Sequence, residues 1–130
     1  MLKVVIDTNI IVSAFISPNG NSAKVLNLCR KNKADIYYND EIMYEYEDVL
    51  FRPHFKFDIE EIKNTTLTEL RKTGIFSKPA KSSITMPDEA DRIFYDTAKE
   101  NGAILITGNK KHYPDEQFIL SPTEFLEKFS

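Results

Sequence analysis

The sequence LKVVIDTN, residues 2–9, decides the fold of this chain. Leu2–Ile6 is a short, apolar and β-branched run, which predicts a buried strand. This strand stops at Asp7, and the small polar residues Thr8 and Asn9 follow it. Because ligands of open α/β sheets bind beyond the carboxyl ends of the strands, we expect Asp7 at a functional edge of the sheet.

Short apolar runs and segments of helical periodicity alternate along the rest of the chain. The predicted strands after the first are Asp35–Tyr38, Ile75–Phe76, Ile104–Thr107 and Phe118–Leu120. Six helices are predicted. The first is Asn9–Ile16, the second is capped by Ser22, and the third is capped by Asn39 or Asp40 and ended by Pro53. The fourth runs from Asp58 to near Gly74, the fifth runs from Asp88 to Asn101-Gly102, and the sixth is capped by Ser121. This alternation predicts an α/β fold with a short parallel sheet covered by helices on both faces.

Length and composition agree with one globular domain. A chain of 130 residues suits a single domain spanning residues 1–130, and 42% hydrophobic residues suffice for a core. Since no apolar run approaches the roughly 18 residues of a membrane helix, we expect no membrane partner. The apolar run before Asp7 is too short for a signal peptide, which predicts a cytoplasmic protein.

The cysteine count and the net charge limit the kinds of site and partner that the chain can have. The lone Cys29 excludes an internal disulfide and a multi-cysteine zinc site, and its helical surroundings predict a buried thiol. The net charge of −3 counts mildly against a nucleic-acid binder. A site rich in carboxylates, however, makes any enzyme acidic, so the distribution of charge matters more than its total.

Three carboxylates and one amide are placed to reach the same edge of the predicted sheet. Asp7 ends the first strand, and Asn109 follows the fourth. Glu45 lies about one turn into the third helix, and Asp91 lies in the first turn of the helix that begins near Asp88. An oxygen-rich pocket of this kind suits Mg²⁺ or Mn²⁺, which bind phosphate oxygens and lower the pKa of a bound water. Taken singly, Glu45 also fits an exposed acidic helix face, and Asp91 also fits a helix N-terminus.

A strand-end aspartate is also found in phosphotransfer domains. Haloacid-dehalogenase-type phosphatases need a second aspartate two residues after the first, and Asn9 stands at that position. A receiver domain places paired acids on its first strand, where Asp7 stands alone. Both phosphotransfer classes are therefore disfavoured.

The stretch VVIDTNIIVSA, Val4–Ala14, resembles the opening of PIN (PilT N-terminus) domains, a family of metal-dependent ribonucleases. Later segments resemble the same family in the same order: Glu45 with Val49-Leu50 and Arg52, Asp91 with Phe94 and Ala98, Ile104–Asn109, and Pro122–Leu126. Each motif is weak alone, but these segments in order over nearly the whole chain are fairly specific.

The resemblance implies a three-layer α/β/α sandwich and a catalytic site. It implies Asp7, Glu45 and Asp91 as ligands of Mg²⁺ or Mn²⁺, with Asn109 as the fourth catalytic residue. The implied reaction is the cleavage of single-stranded RNA. The candidate substrate contacts are Asn9, Ser13, Thr107, Lys110 and Lys111, and the two lysines fit a solvated loop equally well.

The resemblance also implies a biological context. The branch that it points to comprises the toxin components of type II toxin–antitoxin pairs, so an antitoxin protein is an implied partner. It allows a homodimer, although the sequence shows no apolar stripe that requires one.

Asn109 departs from the family pattern, because many PIN domains have an aspartate at this position. An amide oxygen can ligate a hard cation, but it adds no charge and cannot act as a general base. We therefore expect one metal, or a second that is recruited with substrate. The alternative is a PIN-like module with a weakened site that binds RNA or a protein partner.

Overall fold

The computed structural model describes residues 2–130 and contains one sheet of five parallel strands. The strands are β1 (Lys3–Ile6), β2 (Asp35–Tyr38), β3 (Ile75–Phe76), β4 (Ile104–Ile106) and β5 (Ile119–Leu120), in the spatial order β3-β2-β1-β4-β5. Strand β1 is central, with Val4 paired to Ile36 on one side and to Ile104 on the other. The predicted parallel α/β fold is confirmed.

Helices flank this sheet. They are α1 (Thr8–Ile16), α2 (Asn21–Lys31), α3 (Asp40–Leu50), α4 (Ile59–Ile62), α5 (Thr68–Thr73), α6 (Arg92–Asn101) and α7 (Pro122–Phe129). A π-helical segment, Lys63–Leu67, joins α4 to α5, and short 3₁₀ turns lie at Pro53–Phe55, Glu89–Asp91 and Lys110–His112. Helix α6 contacts β1, β2 and β4, while α1 contacts α2 and α3, and α2 contacts α7.

The core is built on the central strands. Val4, Val5 and Leu105 have no exposed surface, as expected for strands covered on both faces. Tyr46 of α3 and Phe94 of α6 are also fully buried and lie with ring centroids 6.2 Å apart. This contact packs α3, which carries Glu45, against α6, which directly follows Asp91.

Most predicted helix ends are confirmed, because local side chains form them. The Asn39 side chain accepts a hydrogen bond from the Ile42 N–H at 3.0 Å, and Ser121 forms the predicted capping box with Glu124. Gly102 closes α6 at φ +61°, which favours glycine.

Two predicted helix starts are wrong. Gly20, not Ser22, is the N-cap of α2, and Ser22 is a buried residue within the helix. Asp88 caps the 3₁₀ turn Glu89–Asp91 by accepting a hydrogen bond from the Ala90 N–H at 3.0 Å, and α6 begins only at Arg92. The sequence shows polar residues near the start of each helix, but which residue caps the helix, and where the helix begins, depends on packing.

Cys29 is 1% exposed within α2, as the sequence predicts. Burial raises the pKa of its thiol to about 11, so the thiol is protonated at neutral pH. The residue acts as a small apolar side chain in the core.

None of the helices formed by residues 2–130 combines the length and hydrophobicity that a membrane span requires.

Candidate metal centre

Asp7 lies at the carboxyl end of the central strand and is 6% exposed. Its backbone N–H donates to the Ile106 carbonyl at 3.0 Å, which continues the pairing of β1 with β4. Asp7 is the N-cap residue of α1, yet its side chain makes no capping hydrogen bond. Instead, Oδ2 accepts hydrogen bonds from the Thr107 hydroxyl and from the Tyr113 hydroxyl, each at 2.8 Å. The carboxylate is thereby held in one orientation at the edge of the sheet.

The surroundings of Asp7 disfavour its charged form but fix the orientation of its side chain. Burial raises the pKa of Asp7, and the hydrogen bonds from Thr107 and Tyr113 oppose that shift without cancelling it. Beneath it, the fully buried Tyr46 hydroxyl donates to the Ile6 carbonyl at 2.5 Å. A nearby cation would relieve the cost of burying this carboxylate.

Glu45 lies in the second turn of α3, which begins beyond the carboxyl end of β2, and is half-buried. Burial is the main cause that raises its pKa, followed by the charge of Asp48, while Arg52 opposes the shift. Smaller upward contributions come from Asp7 and Asp88. Glu45 therefore faces the same acidic region as Asp7.

Asp91 is the third predicted acid and the one with the clearest perturbation. Its side chain is 16% exposed, and its buried Oδ2 makes no hydrogen bond, although it lies 3.3 Å from Nδ1 of His112. Burial, reinforced by the charges of Asp7 and Asp88, raises the pKa of Asp91 to about 6, and His112 opposes the shift. With only an imidazole nitrogen beside it, this buried carboxylate oxygen is able to ligate a cation.

Among residues 2–130, the group of potential metal ligands that comes together is Asp88, Asp91 and His112. Their ligand atoms all lie within 4.8 Å of one another. Asp7 and Glu45 lie outside this group. Beyond the effect of burial, the charges of Asp7 and Asp88 raise the pKa of both Asp91 and Glu45. Of the predicted trio of Asp7, Glu45 and Asp91, only Asp91 belongs to this ligand group, and the trio as a shared metal site stays a prediction.

Sequence reasoning missed Asp88 and His112 as potential ligands. The spacing of Asp88 and Asp91, three residues apart, was a usable signal, because residues at this spacing face the same way in a helical turn. The sequence pattern indicates only a capping role for Asp88. No comparable signal marks His112, which approaches Asp91 through the fold of the loop after β4.

The loop after β4 is fixed by Asn9 and Thr107. Asn9 Oδ1 accepts from the Gly108 N–H at 2.9 Å, and Thr107 Oγ1 accepts from the Asn109 N–H at 3.0 Å. A Cβ at Gly108 would lie 3.3 Å from Asn9 Oδ1, a close contact that only glycine avoids. The Asn109 amide lies 2.9 Å from Nε2 of His112, so it contacts the imidazole rather than the acids.

The structure changes the interpretation of several predicted substrate contacts. Thr107 has no exposed surface and its hydroxyl is bound to Asp7, so it positions the acid and offers no surface to substrate. The Asn9 side chain holds the loop, and Lys110 Nζ lies 3.0 Å from Oε1 of Glu124. Ser13 and Lys111 are exposed, as a substrate contact requires.

These residues fit a divalent cation. The donors comprise carboxylate oxygens and one imidazole nitrogen, and Oδ2 of Asp91 lies 3.3 Å from that nitrogen, so both atoms face the same space. Mn²⁺ accepts both donor types, whereas Mg²⁺ prefers oxygen alone. The hydroxyl oxygen of Thr8, next to Asp7, is also buried without a partner.

Comparison with known proteins agrees with this geometry. A family model described as PIN domain matches residues 3–111, which include Asp7, Glu45 and Asp91. The chain belongs to the PIN domain family. An uncharacterized protein of Methanocaldococcus jannaschii is 32% identical over an alignment of 142 positions, which covers 98% of this chain and 92% of that protein.

Membership in the PIN family assigns a nuclease-type fold. PIN domains are generally metal-dependent nucleases, they typically use divalent metals, and the family suggests RNA as the substrate. The acidic group around Asp91 is in keeping with such a metal requirement.

The raised pKa of Asp91 predicts a pH-dependent stability of the metal-free protein. The folded state binds this proton more tightly than the unfolded state, so the free energy of unfolding falls as pH rises from about 4 to about 6. Asp91→Asn removes the buried charge and should make the metal-free protein more stable than wild type above pH 6. We expect about 1 kcal/mol after allowance for solvent screening.

Urea unfolding between pH 4 and pH 8 in EDTA measures this difference. Asp115→Asn, which replaces an exposed carboxylate, is the matched control and should follow wild type. Parallel stability curves for wild type and Asp91→Asn would contradict the prediction.

Proposed function

We propose that this PIN domain is a divalent-metal-dependent endoribonuclease that cleaves single-stranded RNA. The observation that carries the proposal is the buried Asp7 at the end of β1, held by Thr107 and Tyr113 and electrostatically linked to Asp91. Perturbed carboxylates gathered at the carboxyl edge of a parallel sheet are a typical catalytic arrangement. Family membership adds independent support.

In this proposal Asp7, Glu45 and Asp91 hold Mg²⁺ or Mn²⁺, with Asp88 and His112 as additional ligands. When bound, the cation supplies Lewis acidity to the scissile phosphodiester. The chain itself does three things: Thr107 and Tyr113 orient the Asp7 carboxylate, Asn109 orients the His112 ring, and burial keeps the carboxylates from full hydration. Below about pH 6 a proton on Asp91 competes with the cation.

Substrate is expected to approach across the exposed rim of this centre. Two of the predicted substrate contacts, Ser13 and Lys111, are exposed. Neither side chain takes part in a hydrogen bond or ion pair within residues 2–130. A lysine there would interact with the RNA backbone and offset the repulsion between phosphate and the acidic residues.

The proposed context is a cytoplasmic toxin whose partner is an antitoxin protein, and a homodimer is compatible with it. The resemblance of residues 4–14 and of the later motifs to toxin components supports this context. Growth inhibition on expression of the active protein, relieved by co-expression of a small gene encoded next to it, is the test of the toxin role.

A second candidate is a PIN-like module with attenuated activity that binds RNA or a protein. Asn109 favours this alternative, because it contributes no charge where many family members have an aspartate. The contact of Lys110 with Glu124 also favours it, because Glu124 competes with phosphate for that lysine.

Cleavage of labelled RNA by the purified protein separates the two functions. We expect cleavage of single-stranded RNA with Mn²⁺ or Mg²⁺, no cleavage in EDTA, and weak or no cleavage of duplex RNA. A protein that binds neither ion by calorimetry and leaves RNA intact would overturn the nuclease proposal and leave the binding module.

A further inference from the structure

Tyr46 touches each of the three segments that carry or adjoin a predicted acid. It belongs to α3, where it directly follows Glu45, and it has no exposed surface. Its hydroxyl bonds to the last residue of β1, and its ring packs against α6. A tyrosine that is buried this completely needs a partner for its hydroxyl, so the position of that partner is a specific feature of the fold.

The hydroxyl of Tyr46 links α3 to the carboxyl end of the central strand. It donates to the Ile6 carbonyl at 2.5 Å. Ile6 directly precedes Asp7, and Tyr46 directly follows Glu45. Since consecutive Cα atoms lie about 3.8 Å apart, the bond joins two residues that are each one step from a predicted metal ligand. It therefore constrains how far apart Asp7 and Glu45 can lie.

The ring of Tyr46 is held in place by α6. Its centroid lies 6.2 Å from that of Phe94, which is 1% exposed. Phe94 follows Asp91 by about one helical turn. Because side chains in a closely packed core stay in one rotamer, the ring keeps its hydroxyl directed at Ile6.

Glu45 depends on this link for its position. Asp7 is oriented by Thr107 and Tyr113, which lie on the β4 side of the sheet. Within residues 2–130, Tyr46 is the residue of α3 that makes a hydrogen bond to β1. The environment of Glu45 consists of burial and nearby charges, with no hydrogen bond to its carboxylate. Its place relative to Asp7 therefore follows from the place of α3.

We propose that Tyr46 is a positioning residue of the metal centre, whose bond to Ile6 sets the separation at which Glu45 and Asp7 can ligate one cation. The inference rests on the proposed function and deepens it. Tyr46 touches neither cation nor substrate and acts through the two acids. A tyrosine that served packing alone would affect the stability of the protein and not its affinity for a metal.

Tyr46→Phe removes the hydroxyl and keeps the ring against Phe94. We expect a loss of Mn²⁺ affinity of about tenfold or more, because residues that hold metal ligands in place contribute about 10–100-fold to metal affinity or activity. Calorimetric titration with Mn²⁺ at pH 7.5 measures the affinity, and circular dichroism shows whether the variant is folded.

Tyr95→Phe is the matched control. Tyr95 is also buried, at 2% exposed, and its hydroxyl donates to Glu116. Glu116 is not a neighbour of any predicted acid in the sequence, so this variant also loses a tyrosine hydrogen bond but frees no metal ligand. The unfolding temperature should fall in both variants, while the Mn²⁺ affinity of Tyr95→Phe should remain that of wild type.

Glu45→Gln shows whether Tyr46 acts through Glu45. Effects of residues that act through one another do not add, whereas effects of independent residues do. In the Glu45→Gln background, Tyr46→Phe should therefore lower Mn²⁺ affinity by no more than about twofold. The electron paramagnetic resonance signal of free Mn²⁺ follows the weaker binding of these variants.

The metal dependence of cleavage gives a second readout that a purely structural role would not move. With Tyr46→Phe, the Mn²⁺ concentration for half-maximal cleavage of single-stranded RNA should rise about tenfold. The rate at saturating Mn²⁺ should recover to within about threefold of wild type, because every proposed ligand is still present.

The outcomes separate this inference from the ribonuclease proposal. Wild-type Mn²⁺ affinity in a folded Tyr46→Phe protein overturns the inference alone, and so does an equal loss in Tyr95→Phe or an undiminished loss in the Glu45→Gln background. If Tyr46→Phe does not fold, Phe94→Leu replaces it, since it keeps the hydroxyl but removes the ring that supports it. Wild-type affinity in that variant also overturns the inference.

Two results bear on the proposed function as well. A wild-type protein that binds no Mn²⁺ overturns both proposals. A wild-type protein that binds Mn²⁺ and cleaves no RNA, with weaker binding in Tyr46→Phe alone, supports the positioning role and overturns only the ribonuclease function.

Discussion

Asp7→Asn should abolish metal-dependent RNA cleavage, by more than about 100-fold, and leave the fold intact. Loss of a residue that only supports a metal ligand lowers metal affinity or activity by about 10–100-fold, and loss of a charged ligand itself should lower activity further. The fold should survive because both hydrogen bonds to Asp7 end on the same oxygen, Oδ2. The amide oxygen of asparagine can accept both, so the substitution removes charge and little else.

Initial cleavage rates in Mn²⁺, together with thermal unfolding of the metal-free proteins, measure this result. The unfolding temperature should be unchanged or higher, because burial raises the pKa of Asp7 and its charge opposes folding. Asp35→Asn is the matched control, since Asp35 begins β2 at the opposite edge of the sheet. An Asp7→Asn protein that cleaves at the wild-type rate would show that Asp7 holds no catalytic metal.

Asn109→Asp should strengthen metal binding by about tenfold or more and raise the cleavage rate. In the structure the Asn109 amide contacts Nε2 of His112, while Nδ1 of His112 faces Asp91. An amide can donate to or accept from Nε2, so it leaves the tautomer of His112 open. A carboxylate can only accept, which would place the proton on Nε2 and leave Nδ1 free for a metal. It would also add a negative charge to the site.

Calorimetric titration with Mn²⁺ at pH 7.5, alongside cleavage rates, tests this expectation. Asn101→Asp is a suitable control, because Asn101 ends α6 and contacts Ser77 and Thr97 rather than the metal centre. A gain in both affinity and rate would show that the native site is attenuated. Unchanged affinity would mean that residue 109 does not act on the metal at all.

The features of the site that depend on neighbouring residues in the sequence could be predicted, and those that depend on contacts between distant residues could not. The strand before Asp7 and the helix carrying Glu45 were visible as apolar periodicity and caps, and both were confirmed as elements. Tyr113 could not be foreseen, since it reaches Asp7 across 106 positions of sequence. The same is true of His112, which becomes a potential ligand only when the loop after β4 folds against Asp91.

For some predicted substrate contacts, the structure shows a different partner. Thr107 was expected to contact substrate, yet it is fully buried and orients Asp7. Lys110 was expected to meet phosphate and lies against Glu124 instead. The sequence gives no reason to single out Asp96, because one aspartate on a helix is ordinarily exposed. It is buried only because the segment around Ser82 packs over it. Polar side chains carry little information about their partners until the chain has folded.

The amino-acid sequence by itself determined the parallel α/β sheet and the placement of Asp7 at its carboxyl edge. It could do so because the burial of strands and helices follows from short-range periodicity in hydrophobic residues. Only the tertiary structure decided that Asp88 and His112 join Asp91, that Thr107 and Tyr113 hold Asp7, and that Tyr46 donates to the Ile6 carbonyl. The physical reason is that hydrogen bonds and charge interactions act over a few ångströms, and those distances are set by the packing of segments far apart in sequence.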